Sequence, residues 1–171
     1  MNILYIAMSL DGYIAREDDS VDWLIGDGSE EDNLGTYEEF YQSIDTVVMG
    51  YKTYAEIINV LSPNEWPYLD KKCYVLSKNH HFSSNEEIEQ IQSFPQLQEK
   101  IERKKVWICG GSQLVRLFWD HNQIDELRVA IIPTILGKGI PLFRSEREGH
   151  LQLKKVETYN GIVEIHYQCK D

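Results

Sequence analysis

Twice along this chain an apolar run stops at glycine and passes directly into an amphipathic run: VVMG-YKTY at 47–54 and VWICGG-SQLV at 106–115. A continuous apolar run of four to eight residues bounded by a turn reads as a buried strand. Apolar residues three and four apart read as a helix. Strands alternating with helices require right-handed crossovers and a parallel sheet, which excludes most other architectures. NILYIAM at 2–8 and KKCYVLS at 71–77 add strands, and Asp11-Gly12 marks a turn between the first strand and YIA. Residues 16–35 read as a long acidic loop. Thr36 and Glu39 form a capping box for a helix with Tyr37, Phe40, Tyr41 and Ile44 on one face. KTYAEIINVL reads as the helix after the second strand, residues 86–103 as a helix broken at Pro95, and 112–120 as a helix after Gly-Gly. The remainder is β: ELRVAIIP at 126–133, then two strands within 151–169 joined at Asn160-Gly161, a strong hairpin signal. The expected fold is a single α/β domain over residues 1–171, with a mixed, mostly parallel sheet and an antiparallel C-terminal hairpin.

The charge has an address. The net charge is −11, and residues 1–50 hold 12 acidic residues against one basic residue, Arg16, so the other residues balance. No basic stripe exists to displace the counterions of a nucleic acid. An anionic ligand is therefore expected in the later two-thirds. No apolar run is long enough to cross a bilayer, and MNILYIAMSLDG has no basic leader or small-residue cleavage site. Cys73, Cys109 and Cys169 are odd in number and far apart, as in reduced cytoplasmic proteins. The five histidines lack metal-ligand spacing, so no metal is expected.

In an open parallel sheet, ligands lie at the carboxyl ends of the strands, where helix N-termini offer unpaired N–H groups. Glycine there permits either a tight turn or an approach of phosphate to bare backbone. Neither glycine turn matches GxGxxG or the P-loop pattern. Lys52 opens a helix, where a cation is unfavourable unless an anion compensates it. Ser77-Lys78 follows another strand end and could hold a phosphate, although a solvated lysine is the simpler reading of Lys78 alone.

The ordered set MSLDGYIA (8–15), VVMGYKTY (47–54), VLSK (75–78), ICGGSQL (108–114) and DELRVAIIPTILGKGIPLF (125–143) resembles the dihydrofolate reductase superfamily. The likeness is closest to the branch containing the reductase domain of bacterial riboflavin biosynthesis. It implies a dihydrofolate-reductase-like three-layer sandwich, NADPH as cofactor, and a homodimer. It also implies that Ala7, Ile14 and Ala15 face the nicotinamide. Gly50, Lys52, Thr53, Leu76, Ser77 and Lys78 would hold the adenosine phosphates and adenine, with Gly110, Gly111, Ser112 and Gln113 around the pyrophosphate.

The pattern departs from that superfamily where the substrate should bind. Dihydrofolate reductases carry a carboxylate near the start of the helix after the long loop, and here that region reads Gly35-Thr36-Tyr37-Glu38-Glu39-Phe40. Glu38 and Glu39 lie off the face marked by Tyr37, Phe40 and Tyr41. Ala130 replaces the usual threonine, so folate reduction is not expected. The riboflavin branch carries arginines around this helix, whereas no basic residue stands between Arg16 and Lys52. The substrate-binding candidates are Asp11, Trp23, Tyr37 and Phe40. Each has a plainer alternative: a turn cap for Asp11, and core or edge packing for the aromatics. Three functions fit this reading. The first is an NADPH-dependent reductase of a small flat heterocycle. The second is the riboflavin-pathway 5-amino-6-(5-phosphoribosylamino)uracil reductase, and the third is a nucleotide-binding module without turnover.

Overall fold

The computed structural model describes residues 1–170. Ten strands form: β1 Asn2–Ser9, β2 Tyr13–Ala15, β3 Thr46–Gly50, β4 Lys72–Leu76, β5 Ile88–Ile91, β6 Val106–Gly110, β7 Glu126–Ile132, β8 Ile140–Pro141, β9 His150–Tyr159 and β10 Ile162–Lys170. Four α-helices accompany them: α1 Tyr37–Ser43, α2 Tyr51–Glu56, α3 Phe94–Ile101 and α4 Ser112–Asp120. Helix α2 continues into a π-helical turn, Ile57–Leu61.

Eight strands make one sheet in the order β5-β4-β3-β6-β1-β7-β10-β9, and β2 pairs with β8 in a small second sheet. All neighbours from β5 to β7 are parallel, whereas β10 is antiparallel to both β7 and β9. The six parallel strands therefore end on one edge, bringing Ser9, Gly50, Leu76, Gly110 and Ile132 to the same side of the molecule.

Alternation along the strands divides the core into two layers. On one face Leu4, Val48, Ile108 and Val129 pack with Phe94 and Leu97 of α3 and with Leu114, Val115 and Phe118 of α4. On the other, Ile3, Tyr5, Val47, Met49, Val75 and Trp107 pack with Phe40, Ile44, Ile57 and Tyr68. The C-terminal hairpin turns at Asn160 (φ 47°) and Gly161 (φ 73°), the pair of left-handed conformations that lets two strands reverse with their natural twist.

The stretch 86–103 differs from the expected broken helix. Ile88–Ile91 is a strand pairing with β4, and α3 begins only at Phe94. Pro95 lies in the first turn of α3, where its missing N–H costs nothing, and Ser93 Oγ accepts from the Gln96 N–H at 3.4 Å. The capping box is also replaced. Thr36 does precede α1, but its hydroxyl makes no cap hydrogen bond and points instead to Glu164.

The loop 16–35 has no helix or strand and is pinned by the hairpin turn. The Asp27 N–H donates to the Asn160 carbonyl at 3.0 Å, and the Gly28 and Glu30 N–H groups donate to Asn160 Oδ1 at 2.9 and 3.2 Å. The Asn160 N–H returns a bond to Glu30 Oε2 at 3.0 Å.

Candidate cofactor and substrate site

Strands β3 and β6 are neighbours, so the two glycine turns meet. A Cβ built on Gly50 would lie 3.8 Å from the Gly111 nitrogen, and one on Gly111 would lie 3.5 Å from Thr53 Oγ1. One on Gly110 would lie 3.9 Å from that same hydroxyl and 3.6 Å from Ile6 Cδ1. Gly110 needs its glycine, at φ +128°, whereas Gly111 is extended at φ −87°. The peptide between them is cis. Gly50 and Gly111 are the N-caps of α2 and α4, and neither helix has a side-chain cap. First-turn N–H groups of two helices thus flank a cradle lined by three glycines, Thr53 and the buried Ser112. Gln113, in the first turn of α4, is exposed. Uncapped N–H donors beside space that side chains would otherwise fill suit an anionic group lying on backbone.

The basic residues are arranged otherwise than expected. Lys52 Nζ is 3.0 Å from Asp19 Oδ2, so the acidic loop itself supplies the anion that its helix-start position calls for. Ser77 is buried; its hydroxyl donates to the His80 carbonyl at 2.8 Å and accepts from the His80 N–H at 3.2 Å. Lys78 is exposed and enters no ion pair among the described residues. Leu76 and Ile14 pack against the cluster under α3 and α4, Ala15 is buried, and Ala7 is half-buried toward the end of β1.

The four substrate candidates separate. Asp11 is exposed, but its carboxylate accepts from Ser9 Oγ at 2.6 Å and from the Leu136 and Gly137 N–H groups at 3.1 and 2.7 Å. The Ser9 hydroxyl beside it holds its carboxyl below the usual range. Asp11 therefore clasps the loop 134–139 to the end of β1. Phe40 is 1% exposed and presents no surface to a pocket; its ring contacts Tyr5 at 4.5 Å and Trp107 at 5.6 Å. Tyr37 is exposed, stacks between Tyr5 and Tyr41, and meets Trp107 edge-on. Trp23 is buried, and its indole N–H has no partner.

A constellation absent from the sequence reading lies beside α1. Glu164 of β10 is fully buried and its carboxylate meets four side chains. Tyr5 and Tyr159 hydroxyls donate to Oε2 at 3.1 and 2.8 Å, Thr36 Oγ1 donates to Oε1 at 2.5 Å, and His166 Nε2 is 2.5 Å from the same Oε1. Burial, the largest single influence, pushes this carboxyl up, but the four hydrogen bonds outweigh it and leave it below the ordinary range. Burial pushes Tyr5 up to about 12. Glu164 shares a row of the sheet with Ala130 and Ala7, and so faces the same side as both. In the core layer on the same side, burial pushes the Cys109 thiol up to about 12.

Residues 70–166 match the RibD C-terminal domain. The chain is 41% identical over 170 residues to YwjB of Bacillus subtilis (strain 168), covering 96% of this chain and 95% of that one. Its fold is similar to the crystal structure of a protein assigned to riboflavin biosynthesis from Shewanella sp. PV-4, with TM-score 0.83, 26% identity and 99% of each chain covered. It is also similar to dihydrofolate reductase from Enterococcus faecalis complexed with NADP(H), with TM-score 0.67, 17% identity, and 100% and 97% covered. No helix among the described residues is long and apolar enough to cross a membrane. With residues 70–166 matched, the chain belongs to the RibD C-terminal domain family, and its fold is that of dihydrofolate reductase.

Proposed function

We propose that this chain, residues 1–171 as one domain, is an NADPH-dependent reductase that delivers a hydride to a C=N or C=O carbon of a small flat heterocycle. The observation that carries this reading is the cradle of Gly50, Gly110 and Gly111 between two uncapped helix starts. Gly110, Gly111, Ser112 and Gln113 would hold the pyrophosphate. Gly50, Lys52, Thr53, Leu76, Ser77 and Lys78 would hold the adenosine end, with Ala7, Ile14 and Ala15 beside the nicotinamide. The cofactor supplies the hydride; the chain binds, orients and excludes water. Tyr37, exposed beside Tyr5 and Trp107, would wall the substrate pocket.

Reduction of 5-amino-6-(5-phosphoribosylamino)uracil is the second reading, favoured by the family match. The acidic interval from Glu17 to Asp45 disfavours its phosphate. Glu164, a buried carboxylate beside α1, counts against the third reading, a binding module without turnover. We also read the protein as cytoplasmic and homodimeric. Leu151, Leu153 and Val156 of β9 and Val163 of β10 form an exposed apolar stripe on one face of the hairpin. NADPH consumption with a panel of pterins, aminopyrimidines and quinones tests the activity. The expected result is turnover of one heterocycle class, and binding of NADPH without turnover of any would return the reading to a module.

A further inference from the structure

Helix α1 carries three aromatic rings, Tyr37, Phe40 and Tyr41, and two of them already hold a cation. The Arg128 guanidinium lies 5.2 Å from the Phe40 ring centre, and Lys71 Nζ lies 5.0 Å from that of Tyr41. The faces of such rings are electron-rich, and a cation placed over one is attracted the more as water is excluded. Tyr37 has no such cation among the described residues, although it is the most exposed of the three. Its nearly parallel neighbours, Tyr5 and Tyr41, have centres 6.2 and 5.9 Å away, so the planes are offset and 39% of Tyr37 stays open.

The charges around this ring are mostly of one sign. Residues 1–50 hold 12 acidic residues and one basic residue, Arg16, which pairs with Asp22 at 2.7 Å. Glu38 and Glu39 follow Tyr37 in the first turn of α1. The two cations already on α1 rings are themselves paired, Lys71 with Asp70 at 3.4 Å and Arg128 with Glu126 at 2.5 Å. An anion approaching Tyr37 is repelled and a cation is drawn in. Acidic protons near the ring are committed elsewhere. Tyr5 and Tyr159 donate to Glu164, and Tyr41 donates to Asp70 at 2.5 Å. The Asp11 and Glu164 carboxyls are held below their usual range, each accepting at least three hydrogen bonds. A neutral C=N or C=O acceptor needs a proton as well as a hydride, whereas a positively charged C=N acceptor needs the hydride alone.

We propose that the substrate is a flat heterocycle with a fixed positive charge at its C=N bond, an iminium or N-alkylated ring, seated on the face of Tyr37. This rests on the reductase reading and narrows the acceptor that it names. The carbon of the C=N bond gains the hydride as a new C–H bond, and the π pair moves onto nitrogen and cancels its charge. The positive charge passes from substrate to oxidised cofactor, so charge balances with no proton moved. Tyr37 is thus a specificity-determining residue: it selects by charge and flatness, and a phosphate-bearing ring is turned away.

The test is calorimetric titration of the full chain with three bicyclic probes of similar size: N-methylquinolinium, the neutral N-methyl-2-quinolone and the anion quinoline-2-carboxylate. The cation is expected to bind about tenfold tighter than the neutral ring, and the anion to give no measurable heat. Tyr37→Ala is expected to weaken the cation by about three- to thirtyfold, and Tyr37→Phe, which keeps the ring face, to retain it. Equal affinity for cation and neutral ring overturns the proposal, as does cation binding unchanged in Tyr37→Ala, which assigns it to the acidic surface at large. In turnover, N-methyl-3,4-dihydroisoquinolinium is expected to consume NADPH, and a neutral pterin consumed as fast overturns the charge preference. If the wild type consumes no NADPH with either, the reductase reading fails on its own, and the titration still decides what Tyr37 binds.

Discussion

Lys52 Nζ donates to Asp19 Oδ2 at 3.0 Å, joining the start of α2 to the acidic loop. A cofactor phosphate at α2 would compete with Asp19 for this ammonium, so cofactor binding and loop position would be coupled. Asp19→Asn should raise NADPH affinity by up to about fivefold, the range of an exposed ion pair. NADH, which lacks the 2′-phosphate that Lys52 would meet in the proposed function, should keep its affinity unchanged, and Lys52→Ala should narrow the expected preference for NADPH. Calorimetric titration with both checks this; an equal gain for NADH would mean that Lys52 does not meet the 2′-phosphate.

Gly110 and Gly111 should respond differently to substitution. Gly111 has φ −87° and room for a Cβ at ordinary contact with Thr53, so Gly111→Val should fold with a Tm near wild type and lose the NADPH-induced thermal shift. Gly110 has φ +128°, and Gly110→Ala should cost about 1–3 kcal/mol from backbone strain alone. Melts with and without saturating NADPH separate the two. A Gly111→Val protein that keeps the full shift would place the cofactor elsewhere.

Glu164 should govern part of the acid limb of stability. Its carboxyl is held below its ordinary value of 4.5, so the stabilisation is complete above that value and is lost as pH falls through the depressed folded value. Glu164→Gln should cost roughly 1–3 kcal/mol at neutral pH, since four donors lose an ionised acceptor. It should also flatten the acid dependence. Urea unfolding across the acid range gives both numbers, and an unaltered acid slope would assign the pH dependence to other carboxylates.

The exposed stripe on the hairpin predicts a dimer that a charge disperses. Leu153 and Val156 are 54% and 49% exposed. Light scattering should give twice the chain mass for wild type and the chain mass for the double substitution Leu153→Lys/Val156→Lys. A monomeric wild type at micromolar concentration would leave the stripe without this role.

Wherever one short segment determines its own structure, the sequence was legible. Val106–Gly110 followed by Ser112–Asp120 is a strand and helix with the bounds their apolar periods give, and Asn160-Gly161 turns as that pair requires. Ile88–Ile91 was not legible as a strand: four residues carry too little alternation, and the apolar spacing through Phe94, Leu97 and Ile101 extends backward as if helical. Thr36 and Glu39 satisfy the local capping pattern, yet the hydroxyl is taken by Glu164, 128 residues away. The acid set was hidden for the same reason. Glu164 and His166 are two polar residues alternating in an edge-region strand, and only the fold brings Tyr5 and Thr36 to them.

Asn160 gives the loop 27–30 a borrowed order. Four hydrogen bonds join the turn to a segment with no ladder of its own, and a side chain at Gly26 would collide with Asn160 just as one at Gly35 would collide with Tyr159. Loop and hairpin should therefore open as one cooperative unit in native-state hydrogen exchange, with amide protection in the acidic loop rising and falling with that of β9 and β10. A mutation in the hairpin, far from the glycine cradle along the chain, is then felt first as frayed protection at Gly28 and Glu30.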